Sequence, residues 1–279
     1  MSIPQEEIKR KLPSVVDIAY EQYKRDLPRY RMTKELMSSD VAFIAPEASL
    51  DDAARLMGEK HIGSLIVVKY KTPVGIVTER DLLSKVLAYG LFLKDEKVED
   101  VMSYPLAGVS MSTKIKEVAK LMISTKGRLA VFEAGTLVGI ITASDLIKSL
   151  PDVPETEVKV DDLMSKPVVT AEEEASVINI AKIMGDQRIG SVIITRGGEP
   201  FGIFTERDLL TNFLAKGRAL FTEVGPVSSQ PLTVIPSGTS VHRAAATMAL
   251  KHIRRLPIIE NEKIVGMITA RDLVEAYAK

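Results

Sequence analysis

One short motif recurs four times in this chain at an almost constant interval. Each copy starts with a glycine, continues with two apolar residues and a threonine, and has an aspartate three positions after the threonine. The copies are Gly75–Asp81, Gly139–Asp145, Gly202–Asp208 and Gly266–Asp272. Successive glycines are 64, 63 and 64 residues apart. A motif repeated at a fixed period predicts an array of similar structural units.

Other features recur in the same register and predict the secondary structure of one unit. The units open with Leu36–Ser38, Val101–Ser103, Leu163–Ser165 and, without the methionine, Val224–Ser228. A short apolar stretch follows, and then apolar residues at the i, i+3, i+4, i+7 spacing of a helix. In the first copy these are Leu50, Ala53, Ala54 and Met57. Two apolar runs joined by a polar turn come next, and a last helix begins at the threonine. The predicted unit is therefore β-α-β-β-α over about 60 residues.

The four copies fall into two classes. Copies 1 and 3 share Ile-Gly-Ser, at 62–64 and 189–191, and Thr-Glu-Arg-Asp-Leu-Leu, at 78–83 and 205–210. Copies 2 and 4 have arginines before the second strand instead: Arg128, Arg254 and Arg255. An A-B pair has therefore been duplicated. The predicted divisions are a tail (1–33), repeat 1 (34–97), repeat 2 (98–150), a linker (151–159), repeat 3 (160–223) and repeat 4 (224–279).

The repeated Gly-apolar-apolar-Thr-x-x-Asp-Leu, the element order and the Leu-Met-Ser openings resemble CBS domains, the family first named for cystathionine β-synthase. The resemblance covers residues 34–279. It implies an α/β (α+β) fold in which consecutive repeats pair as Bateman modules, with an architecture similar to the γ subunit of AMP-activated kinase. It also implies that adenosine nucleotides bind in clefts between paired repeats.

The repeated threonine and aspartate are the main candidates for ligand contacts. A helix N-terminus favours phosphate, and a carboxylate can accept hydrogen bonds from both ribose hydroxyls. The resemblance implies a ribose and phosphate role for Thr78, Asp81, Thr142, Asp145, Thr205, Asp208, Thr269 and Asp272. It also implies that Arg128, Arg254 and Arg255 bind phosphate, for which the planar guanidinium is well suited.

Further basic residues lie near these motifs. Arg80, Arg207 and Arg271 directly precede the motif aspartates, and His61 and Arg188 precede Ile-Gly-Ser. They are additional phosphate candidates. The alternative for the three arginines is a solvated helix face or an ion pair.

A second interpretation of the threonine and aspartate requires no ligand. Threonine at a helix start with an acid three residues later is typical of a capping box, which satisfies backbone N–H groups. The chain would then be a protein-interaction scaffold in which these motifs only stabilise helices.

The composition argues against several other functions. The chain has no cysteine and three histidines, which argues against thiol catalysis and against a Cys- or His-based metal site. We therefore expect no enzyme activity and no required cofactor. The 37 basic and 37 acidic residues balance, so no net charge favours nucleic acid. The chain shows no membrane-length apolar run and no signal peptide, so we expect a cytoplasmic location.

The tail, residues 1–33, leaves one alternative open. It carries seven Lys or Arg and five acids. We expect a short helix packed on the repeats, with a nucleic-acid-binding arm as the alternative. The expected partners are adenosine nucleotides, a regulated protein and a second copy in a homodimer.

Overall fold

The computed structural model describes residues 17–18, 20, 32–85, 93–125, 127–152 and 157–278. All four repeats have the predicted β-α-β-β-α order. Repeat 1 contains β1 (Phe43–Ile44), α1 (Leu50–Glu59), β2 (Ser64–Lys69), β3 (Thr72–Thr78) and α2 (Glu79–Lys85). Repeat 2 begins with α3 (Val98–Val101) and continues with β4 (Gly108–Ser110), α4 (Ile115–Ser124), β5 (Arg128–Glu133), β6 (Thr136–Thr142) and α5 (Ala143–Leu146).

The second half of the chain repeats this arrangement. Repeat 3 contains β7 (Thr170–Glu172), α6 (Val177–Asp186), β8 (Ser191–Arg196), β9 (Glu199–Thr205) and α7 (Glu206–Asn212). Repeat 4 contains β10 (Ile235–Pro236), α8 (Val241–Lys251), β11 (Arg255–Glu260), β12 (Lys263–Thr269) and α9 (Ala270–Ala278).

Each repeat has its own three-stranded sheet. The first strand is parallel to the second, and the second is antiparallel to the third; Phe43 lies opposite Ile66, and Ser64 lies opposite Thr78. The two antiparallel strands are joined by a tight turn, whereas the parallel pair requires the intervening helix as its crossover. The third strand always ends at the motif threonine, so the sheet carries this residue to the start of the next helix.

The crossover helix of each repeat supplies its core. All four residues of the helical spacing in α1, from Leu50 to Met57, are completely buried, and the matching positions of α4, α6 and α8 are buried as well. The methionines at the fourth position (57, 122, 184 and 248) are core residues, as predicted. The helical periodicity therefore identified the buried face correctly.

The conserved position of the motif glycine has a direct packing cause. The opening segment of repeat 2 pairs with β3 of repeat 1, where Ser103 and Ile76 exchange two backbone hydrogen bonds. A methyl group on Gly75 would lie 2.7 Å from the carbonyl oxygen of Ser103, which is closer than van der Waals contact. Only glycine lets the two backbones approach this closely.

The same exchange occurs in every repeat and is reciprocal. The opening of repeat 1 pairs with repeat 2 (Ser38 with Ile140), and the openings of repeats 3 and 4 pair with each other's third strands (Ser165 with Met267, Ser229 with Ile203). The openings that carry methionine place it over the partner's glycine. In the fourth opening, which has no methionine, the Ser228 hydroxyl takes its place over Gly202. The opening segment and the glycine motif, which are separate in sequence, thus pack against each other.

The chain divides into two compact units, each built from alternate repeats. The 1–3 unit comprises residues 39–108 and 168–232, and the 2–4 unit comprises the described parts of residues 1–38, 109–167 and 233–279. In the 1–3 unit, α1 packs against α7 and α2 against α6. In the 2–4 unit, α9 packs against α4 and α5.

Part of the tail prediction falls on described residues. Asp17, Ile18 and Tyr20 are helical, and Tyr20 is buried against Ala246 of α8. Arg243 of the same helix forms an ion pair with Asp17 and lies over the Tyr20 ring. This short part of the tail packs on repeat 4 within the 2–4 unit; most of the tail lies outside the described residues.

Gly266 allows a direct test of the exchanged packing, because the three atoms nearest to a methyl group there would all belong to the side chain of Met164. We expect Gly266→Ala to lower the free energy of unfolding by about 1–3 kcal/mol. Adding Met164→Ala should recover part of this loss, because it empties the overlapping space. Urea unfolding of the two single variants and the double variant gives the coupling. Gly75→Ala with Met102→Ala is the control without rescue, since the Ser103 carbonyl remains. Additive losses at 266 and 164 would contradict this account.

Asp161, near the start of repeat 3, should make the free energy of unfolding depend on pH in the acidic range. Its carboxylate accepts hydrogen bonds from the Ser237 hydroxyl and the Gly238 N–H, both at 2.6 Å. Burial alone would raise the pKa of Asp161, but these bonds outweigh it and hold the pKa below its usual value. The stabilisation is therefore complete above the unfolded-state pKa and is lost as the pH falls through the folded-state pKa. Asp161→Asn should flatten the dependence of unfolding free energy on pH in this acidic range; an unchanged slope would exclude this role.

Candidate functional site

In all four repeats the motif threonine and aspartate form the same local structure. The threonine N–H and Oγ1–H both donate to one oxygen, Oδ2, of the aspartate three residues later. The N–H bonds measure 3.0, 3.0, 2.9 and 2.8 Å, and the hydroxyl bonds 2.8, 2.7, 2.7 and 2.7 Å, in repeats 1 to 4. In repeats 1, 3 and 4 the threonine Oγ1 also accepts from the aspartate N–H at 3.3–3.4 Å. This is capping-box geometry, so the motif does stabilise the helix start.

In two repeats the second carboxylate oxygen, Oδ1, contacts a group outside the cap. In repeat 3 the Ser229 hydroxyl donates to Oδ1 of Asp208 at 3.4 Å, and in repeat 2 the Lys148 ammonium lies 3.3 Å from Oδ1 of Asp145. One oxygen is therefore fixed by the threonine while the other contacts groups outside the cap. A carboxylate held this way is preorganised to accept further hydrogen bonds.

The four motifs differ in their exposure. Thr78 and Asp81 of repeat 1 are each 1% exposed, whereas the threonines and aspartates of the other three repeats are half-buried. The motifs of repeats 2, 3 and 4 thus present their polar groups at the surface of their units, and that of repeat 1 does not.

Strand register places arginine beside the motif in repeats 2 and 4. Arg128 lies directly opposite Thr142, and Arg255 directly opposite Thr269. Residues opposite each other on antiparallel strands have Cβ atoms about 4.5–5.5 Å apart. Arg254 precedes Arg255 at the start of the strand, while Ser64 and Ser191 occupy the opposing position in repeats 1 and 3. The sequence difference between the two classes of repeat is therefore located at the motif itself.

The arginines inside the motifs form bonds within their units. Arg80 Nε lies 2.9 Å from Oε1 of Glu206, and Arg207 Nε lies 2.8 Å from Oε1 of Glu79. Burial alone would lower the pKa of Arg80, but attraction to Glu206, assisted by Asp81 and Glu79, outweighs it and raises this pKa. Arg271 donates to the carbonyl of Ile123 at 3.0 Å.

His61 and Arg188 occupy equivalent positions at helix ends. Both are exposed and have positive φ, 54° and 55°, in the left-handed conformation that closes a helix. The carbonyl of His61 accepts a hydrogen bond of 2.9 Å from Nη1 of Arg207. The backbones of both residues thus end a helix, and that of His61 also accepts a hydrogen bond from Arg207.

Two sets of polar residues near the motifs were missed from sequence. One is Ser229, directly after the opening segment of repeat 4, whose hydroxyl donates to Asp208 in the motif of repeat 3. The other is the pair of acids Glu79 and Glu206. The signal for both was present: the opening segments recur in register with the motif, and Thr-Glu-Arg-Asp occurs only in the copies that also have Ile-Gly-Ser.

Two other kinds of site were sought in the described part of the chain. Its Asp, Glu and His residues form no cluster of three or more suited to a metal ion. Among the same residues, no helix combines the length and apolar character needed to cross a membrane.

The fold and its motifs define a protein built from four β-α-β-β-α repeats, and comparison with known families agrees. Residues 34–88, 98–152, 160–215 and 224–279 each match the CBS domain. The chain belongs to the CBS domain family. The exchange of opening segments joins repeat 1 with repeat 2 and repeat 3 with repeat 4, the consecutive pairing of two Bateman modules.

Related sequences include archaeal and bacterial proteins. The chain is 28% identical over 265 residues to the uncharacterized protein MJ1404 of Methanocaldococcus jannaschii, covering 88% of this chain and 61% of MJ1404. It is 29% identical over 195 residues to MJ1225 of the same organism, covering 64% of this chain and 69% of MJ1225. The chain therefore spans less than two thirds of MJ1404. The CBS domain-containing protein YhcV of Bacillus subtilis is 31% identical over 114 residues, 41% of this chain and 81% of YhcV.

Two solved structures share the fold over most of the chain. The crystal structure of MJ1225 superposes with a TM-score of 0.73 at 19% identity and covers 88% of this chain and 100% of that one. A protein from Pyrococcus horikoshii superposes with a TM-score of 0.60 at 21% identity, covering 88% of this chain and 99% of that one. The four-repeat architecture is thus found in other proteins.

The capping role of the motif predicts a measurable stability loss without any ligand. Asp272→Ala removes the acceptor of two hydrogen bonds at the start of α9 and should lower the free energy of unfolding by about 1 kcal/mol. Urea unfolding measures it. Glu262→Ala, in an exposed turn, is the control and should change stability by less than about 0.5 kcal/mol. Equal stability of Asp272→Ala and the original chain would show that the cap contributes nothing.

Proposed function

We propose that this chain is a regulatory protein that binds adenosine nucleotides through its Thr-x-x-Asp motifs. The observation that carries the proposal is the geometry of the motif aspartates: all four are fixed through Oδ2, and in repeats 2 and 3 Oδ1 contacts a group outside the cap. A ribose offers two adjacent hydroxyls as donors, and a fixed carboxylate is a suitable acceptor for them. The proposed role requires no reaction and no cofactor, and we propose the cytoplasm as its location.

The arginines divide the phosphate role unequally among the repeats. Arg128 and Arg255 lie opposite the motif threonines, and Arg254 adjoins Arg255. A guanidinium beside the motif supplies two parallel N–H groups for phosphate oxygens. We assign phosphate binding first to these three residues, in repeats 2 and 4. Arg80, Arg207, Arg271, His61 and Arg188 are secondary candidates, because none of them lies opposite a motif threonine or adjoins a residue that does so on the same strand.

Family membership supports a regulatory role. MJ1225, whose fold this chain shares, is described as a proposed archaeal homologue of γ-AMPK. By analogy, nucleotide binding would shift a conformational equilibrium that a protein partner or a second copy of the chain reads. Such a signal requires different nucleotide affinities in the two states.

Nucleotide binding is tested by calorimetry and thermal shift on the whole chain with AMP, ADP, ATP and 2′-deoxy-AMP. Ligand at 100 times its Kd should add about 2.7 kcal/mol of stability. AMP should bind at least about tenfold more tightly than 2′-deoxy-AMP, because the missing hydroxyl leaves the carboxylate unpaired. The absence of any binding at millimolar concentration, or equal affinity for AMP and 2′-deoxy-AMP, would refute the proposal.

Aspartate variants separate this function from the scaffold alternative, which the capping geometry specifically favours. Asp81→Ala, Asp145→Ala, Asp208→Ala and Asp272→Ala remove the motif carboxylates one at a time. Asp162→Ala is the matched control, since Asp162 accepts from the Lys159 N–H at 2.9 Å in the same capping pattern outside any motif. Loss of affinity in at least one motif variant, but not in the control, supports binding. Unchanged affinity with lowered stability in all four supports the scaffold.

A further inference from the structure

Two reciprocal ion pairs join repeats 1 and 3 inside the 1–3 unit. Arg80 pairs with Glu206 at 2.9 Å, and Arg207 pairs with Glu79 at 2.8 Å. All four residues come from the same Glu-Arg dipeptide, which follows the motif threonine in both repeats. Each dipeptide gives one acid and one base to the other, so the surface is self-complementary, as in a two-fold symmetric interface.

The acids in these pairs are almost completely removed from water. The side chains of Glu79 and Glu206 are 2% and 7% exposed, whereas those of Arg207 and Arg80 are 35% and 43% exposed. A buried carboxylate is costly unless a cation and hydrogen bonds compensate it. Each acid therefore depends on an arginine supplied by the other repeat.

Apolar residues of the same segments also cross between the two repeats. Leu83 of α2 belongs to the buried cluster of repeat 3, and Leu210 of α7 belongs to that of repeat 1. These leucines occupy the same position in Thr-Glu-Arg-Asp-Leu-Leu. Burial of the leucines stabilises the packing but does not select a particular repeat, since apolar contact has no direction. The ion pairs add the directional part.

Glycine in Ile-Gly-Ser makes room for the buried acid. A methyl group on Gly63 would lie 2.7 Å from the carboxylate of Glu79. In repeat 2 the equivalent Gly127 faces Ala143, and an added methyl would meet nothing closer than 4.0 Å. Repeat 4 has Arg254 at this position. The glutamate is therefore what distinguishes repeats 1 and 3: Gly63 leaves room for Glu79 in repeat 1, and Gly190 and Glu206 stand at the same positions in repeat 3.

Repeats 2 and 4 cannot offer the same partners. They carry Ala143-Ser144 and Ala270-Arg271 where repeats 1 and 3 carry Glu-Arg. Facing repeat 2, both Glu79 and Arg80 would lack a partner. Facing repeat 4, Glu79 would meet an arginine, but Arg80 would meet alanine. A second Glu-Arg repeat is what satisfies both charges.

We propose that the Glu-Arg dipeptides at 79–80 and 206–207 form a pairing code that selects repeat 3 as the helix-packing partner of repeat 1 and disfavours repeats 2 and 4. The code acts mainly through the penalty on a wrong partner, which would leave a carboxylate buried without a cation. It is independent of whether any nucleotide binds.

The test replaces each Glu-Arg dipeptide with the Ala-Ser that repeat 2 has at this position, and it uses the whole chain. Glu79→Ala with Arg80→Ser alters one side, and Glu206→Ala with Arg207→Ser alters the other. Each double variant strands one acid and one arginine, so the unfolding equilibrium constant in urea should rise at least about tenfold. The variant with all four substitutions leaves no member of the two ion pairs without its partner and should recover most of that loss.

Hydrogen exchange measured by mass spectrometry locates the effect. In each double variant exchange should rise in α1, α2, α6 and α7 and stay unchanged in α4 and α9. Arg271→Ser is the matched control, because it removes the equivalent arginine where the described partner is a carbonyl. The proposal is overturned if the double variants are as stable as the original chain, or if the fourfold variant is no more stable than the weaker double variant.

Discussion

The architecture depends on one close backbone contact made four times. An opening segment of one repeat lies directly on the motif glycine of the consecutive repeat, as Ser103 does on Gly75. The contact requires a residue without a Cβ atom, because any side chain would enter the carbonyl oxygen or the methionine above it. The third strand, which has this glycine at its middle, ends at the motif threonine and so brings the threonine and aspartate to the helix start. The backbone pairing of the opening segments and the placement of the candidate site thus involve the same strand.

Capping and ligand binding are compatible uses of the threonine and aspartate. Since a carboxylate has two oxygens, Oδ2 can hold the helix start while Oδ1 contacts another group, as it does with Ser229 in repeat 3. The cap itself makes the acid rigid, and rigidity lowers the entropic cost of binding. The stability of the helix start and the proposed recognition of ribose therefore involve the same hydrogen bonds. Measurements of one have to be corrected for the other.

The two classes of repeat use their charges for different purposes. In repeats 1 and 3 the arginine of the motif is paired with a buried acid of the other repeat, whereas in repeats 2 and 4 arginine lies opposite the motif threonine. A net charge of zero for the chain conceals this division. In the 1–3 unit the charged residues of the motif form ion pairs with each other. In the 2–4 unit arginine lies next to the proposed site. Duplication of an A-B pair preserved both arrangements.

The sequence by itself determined the repeat, the β-α-β-β-α order, the buried helix faces and the family, because each is written in local spacing that a strand or helix must obey. The ligand roles of Thr78, Asp81 and their equivalents stay predictions. Only the tertiary structure decided that the openings are exchanged and that Glu79 meets Arg207, 128 residues along the chain. Periodicity shows which face of an element is covered but not which element covers it. That choice depends on contacts between distant segments, where a missing methyl group and a buried charge decide the partner.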